Sequence, residues 1–180
     1  MNDLCLEETS MCFRSELFAD QSTGFRYYTL DENQLFKADN KEYVHFFFLL
    51  EGEVKISGTR SARPVIAPNE FFFIPDHRFV CHSVKESKFL LFSINKSHYQ
   101  TNKAMYASIH PVITAFGKRC SPFTAPPLLS MFVDILAGYM EGGLDDESLQ
   151  TLKQIELFLI LQTLYPAEYD NGAVACGGLS

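Results

Sequence analysis

The segment Tyr43-Val44-His45-Phe46-Phe47-Phe48-Leu49-Leu50 is apolar at nearly every position and runs into Glu51-Gly52. Apolar residues at successive positions predict a strand buried on both faces. Gly52 then gives the backbone the freedom to bend. Alternation resumes at once, with Val54 and Ile56 set against Glu53 and Lys55. More short strands are predicted at Val65-Ile66, Phe71 to Ile74, Phe79 to Val84 and Phe89 to Ile94. Turn residues break them at Gly58-Thr59-Arg60, Pro68-Asn69-Glu70, Pro75-Asp76-His77 and Lys85-Glu86-Ser87. Short strands spaced by roughly ten residues predict a sandwich or small barrel. Upstream, Met11 to Ala19, Gly24 to Leu30 and Gln34 to Lys37 are candidate strands, and the acidic, polar residues 1–10 read as a flexible terminus. The barrel is thus expected over 11–95.

The period changes after Asn95. Residues 96–125, punctuated by Pro111, Gly117 and Pro122, read as a connector with one short helix between Ser97 and Ala107. Pro126-Pro127 suit a helix start, and Leu128, Met131, Phe132, Ile135, Leu136 and Tyr139 recur at helical spacing. Gly142-Gly143 stop that helix. Asp145-Asp146 offer a cap and favourable charge to the next one, which carries Leu149, Leu152, Ile155, Phe158, Leu159 and Leu161. So short a link predicts an antiparallel hairpin over 126–165. Its first helix has two apolar stripes. Leu128, Ile135 and Tyr139 form one, and Leu129, Phe132, Leu136 and Met140 form the other. One stripe can pack on the barrel. The other would suit a second copy of the chain, unless the whole hairpin packs on its own domain. The candidate dimerisation residues are Leu128, Phe132, Ile135, Tyr139, Leu152, Ile155 and Leu159. The tail 166–180 has no periodicity and reads as disordered.

Composition narrows the possibilities. The chain of 180 residues fits one domain with an appendage. Its 17 Phe and absence of Trp imply a large aromatic core or an aromatic-lined cavity. A formal charge of −7 gives no electrostatic reason to seek phosphate backbones. The cysteines, Cys5, Cys12, Cys81, Cys120 and Cys176, are odd in number and lack CxxC spacing. No signal peptide opens the sequence, and no stretch approaches the ~20 apolar residues that span a bilayer. A cytoplasmic protein with reduced thiols is expected.

Leu49-Leu50-Glu51-Gly52-Glu53-Val54 followed by Ala67-Pro68-Asn69-Glu70-Phe71-Phe72-Phe73-Ile74-Pro75 resembles the two-part signature of a cupin. Combined with the later helices, it resembles the N-terminal effector-binding and dimerisation domain of AraC-family transcription regulators, over about Met11 to Tyr165. The resemblance implies a mainly β fold, a cupin-like (jelly-roll) barrel followed by an antiparallel helical hairpin. It also implies a homodimer, and a small-molecule effector held by the barrel. DNA would be reached only through a helix-turn-helix domain that these residues do not contain.

Cupin enzymes use three or four convergent His and Glu ligands around a metal. Aligned on Gly52, His45 falls where the family's Glu would stand, and the preceding His pair falls on Asp39 to Glu42, which contain no His. Aligned on Pro75, Val80 replaces the last His. No metal and no cofactor are therefore expected. Cys81-His82 cannot act as nucleophile and base, because adjacent strand residues point to opposite faces. Asp76-His77 reads as a surface turn, and Cys120, beside Lys118 and Arg119, is an isolated loop thiol. The candidate effector-binding residues in the barrel interior are Tyr27, His45, Phe47, Phe73, His82 and Phe92, each of which also fits simple packing. Tyr27 and His45 carry a polar tip. A non-enzymatic sensor and dimerisation domain is the expectation. The alternatives are a metal-dependent cupin isomerase or dioxygenase, and a dimerisation module without effector.

Overall fold

The computed structural model describes residues 16–19, 22–38, 41–57, 65–74, 79–107, 109–117 and 122–166. The expected loose terminus, most of the expected tail, the Pro75-Asp76-His77 turn and Cys120 lie outside them. Among the described residues nine strands come first: β1 (Glu16–Phe18), β2 (Gly24–Leu30), β3 (Leu35–Ala38), β4 (Tyr43–Glu51), β5 (Val54–Ser57), β6 (Val65–Ile66), β7 (Glu70–Ile74), β8 (Phe79–Ser83) and β9 (Ser87–Asn95). Then follow α1 (Lys96–Thr101), α2 (Lys103–Tyr106), α3 (His110–Gly117), β10 (Phe123–Thr124), α4 (Pro127–Glu141) and α5 (Glu147–Leu164).

The pairing is that of a long antiparallel ribbon rolled up. Working outward from its turn, β5 pairs with β6, β4 with β7, β3 with β8 and β2 with β9, all antiparallel. Successive pairs fall in alternate sheets, and β5–β8 and β4–β9 join the turns of the roll. Two five-stranded sheets result, in the orders β1-β3-β8-β5-β6 and β10-β7-β4-β9-β2. The chain is therefore mainly β, a cupin-like jelly roll carrying C-terminal helices, as the sequence led us to expect.

The burial pattern explains the two kinds of strand. In the β1-β3-β8-β5-β6 sheet one face looks outward, and β5 alternates buried Val54 and Ile56 with exposed Lys55 and Ser57. The other sheet is covered on both faces. Alternate residues of β4 go to different layers. Phe47 and Leu49 join Phe36, Phe72, Phe79, Phe89 and Leu91 between the sheets. Phe46 and Phe48 join Phe25, Phe71, Phe73 and Phe92 beneath the helices, with Leu129, Phe132, Leu136, Leu157, Phe158 and Leu161 above them. A central strand between two apolar layers has no wet face, which is why β4 reads as a continuous run.

The stretch expected as a connector holds α1, α2, α3 and β10. Asn95 caps α1 through its side-chain oxygen, and fully buried Tyr106 and Ile109 anchor the segment in the helix-side core. Pro127 sits in the first turn of α4, and the Asp146 carboxylate accepts the Leu149 N–H to cap α5.

Gly52 has φ +91, and a β-carbon there would lie 2.2 Å from Ser87 Oγ and 2.4 Å from the Glu86 carbonyl. The two-part motif needs Gly at this bend for both reasons. Gly52→Ala is expected to cost about 1–3 kcal/mol from backbone strain alone, with the clash added. Urea unfolding of the variant beside the wild type measures it.

Candidate functional site

Strand parity sorts the candidate effector residues. His45 and Phe47 face the space between the sheets. Phe47 lies in that core, and the His45 ring meets Phe79 edge-on at 5.7 Å. Phe73 and Phe92 point the other way, into the layer under the helices, and Tyr27 packs against that layer. His82, between buried Cys81 and Ser83, faces outward from the opposite sheet and is half-buried. The expected interior set is thus corrected: four of its members lie outside the barrel, because neighbouring strand residues alternate faces. The middle of the barrel is filled, with Phe47, Phe89 and Leu91 fully buried.

His45 is the unusual member. It is only 3% exposed. Its Nδ1 lies 2.8 Å from Ser93 Oγ on the neighbouring β9, and the Tyr43 ring stacks at 6.2 Å. Its Nε2 is buried with no hydrogen-bond partner in the protein. Burial, reinforced by the positive charge of Lys96, lowers its pKa to about 4. The ring is therefore neutral at pH 7, with one nitrogen engaged and one open. A neutral imidazole nitrogen inside an apolar shell can make one directional hydrogen bond to a ligand or a water.

That pKa has a consequence for stability. The unfolded His45 takes up a proton below about 6.5, while the folded one stays neutral to about 4. The native state then holds fewer protons, so the contribution is complete above pH 6.5 and is lost as pH falls toward 4. Between pH 7 and pH 4 the wild type is expected to lose about 3 kcal/mol more stability than His45→Gln. Urea unfolding at the two pH values checks it.

Burial also raises the Cys81 thiol far above its ordinary pKa, so it is an inert core residue. Among the described residues, no group of three or more His, Cys, Asp or Glu is placed to hold a metal ion.

The helices present a second candidate surface. Leu129, Phe132 and Leu136 of α4 and Leu157, Phe158 and Leu161 of α5 are buried on the barrel. Phe132, expected at a dimer interface, is 3% exposed and belongs to this face. Its neighbours in the expectation behave differently. Leu128, Ile135, Tyr139, Leu152, Ile155 and Leu159 are 41–65% exposed, and Met131, at 56%, extends the stripe. Lys153 lies 5.5 Å from the ring centres of both Phe132 and Tyr139, a cation over the seam.

A cleft of about 190 Å³ lies between α4 and the rim of the helix-covered sheet. Leu50, Asn69, Glu70, Ser130 and Asp134 are among the residues lining it. The sequence marked Pro68-Asn69-Glu70 only as a turn. Nothing in the pattern foretold that α4 would stand over it.

No family model and no curated protein matches the sequence. Solved structures of similar shape include ToxT from Vibrio cholerae O395 bound to (E)-4-(8-methylnaphthalen-1-yl)but-3-enoic acid, at 11% identity and a TM-score of 0.43 over 79% of this chain and 58% of that one. A second crystal structure of ToxT from Vibrio cholerae gives 12% identity and a TM-score of 0.43 over the same shares. Oxalate decarboxylase from Bacillus subtilis gives 10% identity and a TM-score of 0.26 over 61% of this chain and 33% of that one. The chain thus spans little more than half the length of ToxT. Likeness at this level bears on neither activity nor ligand. No helix among the described residues is long and apolar enough to cross a membrane.

Proposed function

We propose that this chain is the sensor and dimerisation half of an AraC-type transcription regulator, without enzymatic activity and without a metal. The observation that carries the reading is the two-sided helix pair. One apolar face of α4 and α5 is buried on the jelly roll, while Leu128, Met131, Ile135 and Tyr139 are exposed along a stripe of α4 and Leu152, Ile155 and Leu159 along a stripe of α5. Exposed apolar stripes of that kind suit a partner site. The occupant proposed is a second copy of the chain, because the same helix pair on both copies would close a four-helix contact about a two-fold axis. The motifs around Gly52 and Pro75 support the family assignment.

The sensing role rests on His45. The barrel's middle is filled, which leaves its ends for a ligand, and His45 supplies an open polar nitrogen near one of them. A small neutral molecule with one hydroxyl or carbonyl group fits that chemistry. A thermal-stability screen with sugars and small metabolites tests this, since a ligand at 100 times its Kd adds about 2.7 kcal/mol. At least one compound is expected to raise the melting temperature of the wild type and not that of His45→Phe. No shift with any compound would defeat the sensing role.

A further inference from the structure

Two glutamines one turn apart on α5 make polar clasps, Gln150 on strand β2 of the barrel and Gln154 on Tyr106 of α2, and both clasps lead back to His45. Gln150 lies against the edge strand β2. Its Oε1 accepts the Phe25 N–H at 2.8 Å and its Nε2 donates to the Phe25 carbonyl at 3.0 Å. The side-chain amide thereby stands in for a neighbouring strand. Phe25 follows Gly24, which pairs with Ser93, the residue that holds His45. At Gly24 a β-carbon would come within 2.8 Å of Gln150 Oε1, and φ is +128. The bare backbone is what allows the amide to seat.

The second route starts from the same Ser93. Two residues on, Asn95 Oδ1 accepts the Ser97 and His98 N–H groups at 2.9 and 3.2 Å. His98 Nδ1 lies 3.1 Å from the hydroxyl of fully buried Tyr106, and Gln154 Nε2 donates to that hydroxyl at 3.1 Å. Gln154 is itself only 8% exposed. Residues at i and i+4 share a helix face, so one face of α5 holds β2 through Gln150 and α2 through Gln154. Leu152, Ile155 and Leu159, on other faces of the same helix, are exposed.

We propose that Gln150 and Gln154 are positioning residues that couple the state of the His45 end of the barrel to the seating of α5. This deepens the regulator reading and rests on it for its biological use, because α5 carries part of the proposed dimer surface. Polar clasps suit the task better than greasy contact. A hydrogen bond is made or broken over a fraction of an ångström, and an apolar contact yields gradually.

The test is a double-mutant cycle on the full chain, read by amide hydrogen exchange. His45→Phe perturbs the barrel end, with Ser93→Ala as an independent perturbation should the first variant fold poorly. Gln150→Met with Gln154→Met removes both clasps at nearly constant volume. In the wild-type background either barrel-end change is expected to alter exchange in residues 147–156 by about threefold or more. In the clasp-free background the same change is expected to leave those residues unaltered. An equal response in both backgrounds, or none in the wild type, overturns the proposal. Sedimentation of the same samples separates the two ideas. A monomer would defeat the dimer reading, while the exchange cycle still decides the coupling.

Discussion

Phe92→Ala is expected to lower the unfolding free energy by about 3–5 kcal/mol. The residue lies on β9, between β4 and the edge strand β2, fully buried where barrel and helices meet. Its ring stacks on Phe25 at 4.4 Å, lies 6.2 Å from Phe46 and meets Phe158 of α5 edge-on at 6.1 Å. Truncation removes those contacts and leaves a void that three other aromatic rings cannot collapse to fill. The loss falls on the joint between layers, so α5 is expected to lose hydrogen-exchange protection along with the strands. Urea unfolding gives the magnitude. A cost below about 1 kcal/mol would mean that the helical layer is not seated on Phe92.

The second large effect concerns association. Leu152→Asp with Leu159→Asp is expected to weaken self-association about 100-fold or more, measured by sedimentation velocity over a concentration series. Leu152 and Leu159 are 65% and 58% exposed in the single chain. Their replacement therefore leaves the fold intact to within roughly 0.5 kcal/mol. In a dimer each would be covered, with loss of about 1.5–3 kcal/mol of apolar burial per side chain and an added carboxylate to desolvate. Every 1.4 kcal/mol is about tenfold in Kd. Lys55→Glu is the control, since it adds a carboxylate on the outward face of β5, away from the stripe. A wild type that sediments as a monomer at micromolar concentration would remove the partner assignment.

The sequence by itself determined the jelly roll and the helix pair, through periodicity. Continuous apolar runs at Phe46-Phe47-Phe48 and Phe89-Leu90-Leu91-Phe92 marked strands covered on both faces, and the alternation of Val54-Lys55-Ile56-Ser57 marked a sheet with one face open. It also separated the two stripes of α4, one of which is buried and one exposed. Gly52 was legible as a bend because it interrupts the apolar run, and the structure gives the reason as a positive φ beside a close backbone.

Only the tertiary structure decided which way each aromatic side chain points. In a strand apolar at every position the composition of the two faces is the same, so no pattern tells Phe47, between the sheets, from Phe46, under the helices. Phe73 and Phe92 were misplaced for that reason, and Phe132, grouped with Leu129 and Leu136 but also counted among the dimerisation candidates, is buried on the barrel. The structure alone also gave His45 its partner on β9, 48 positions away, and brought Gln150 to Phe25 across 125 positions. Hydrogen bonds of that span depend on how the ribbon is rolled. Local periodicity records which residues avoid water, and the fold determines which of them meet.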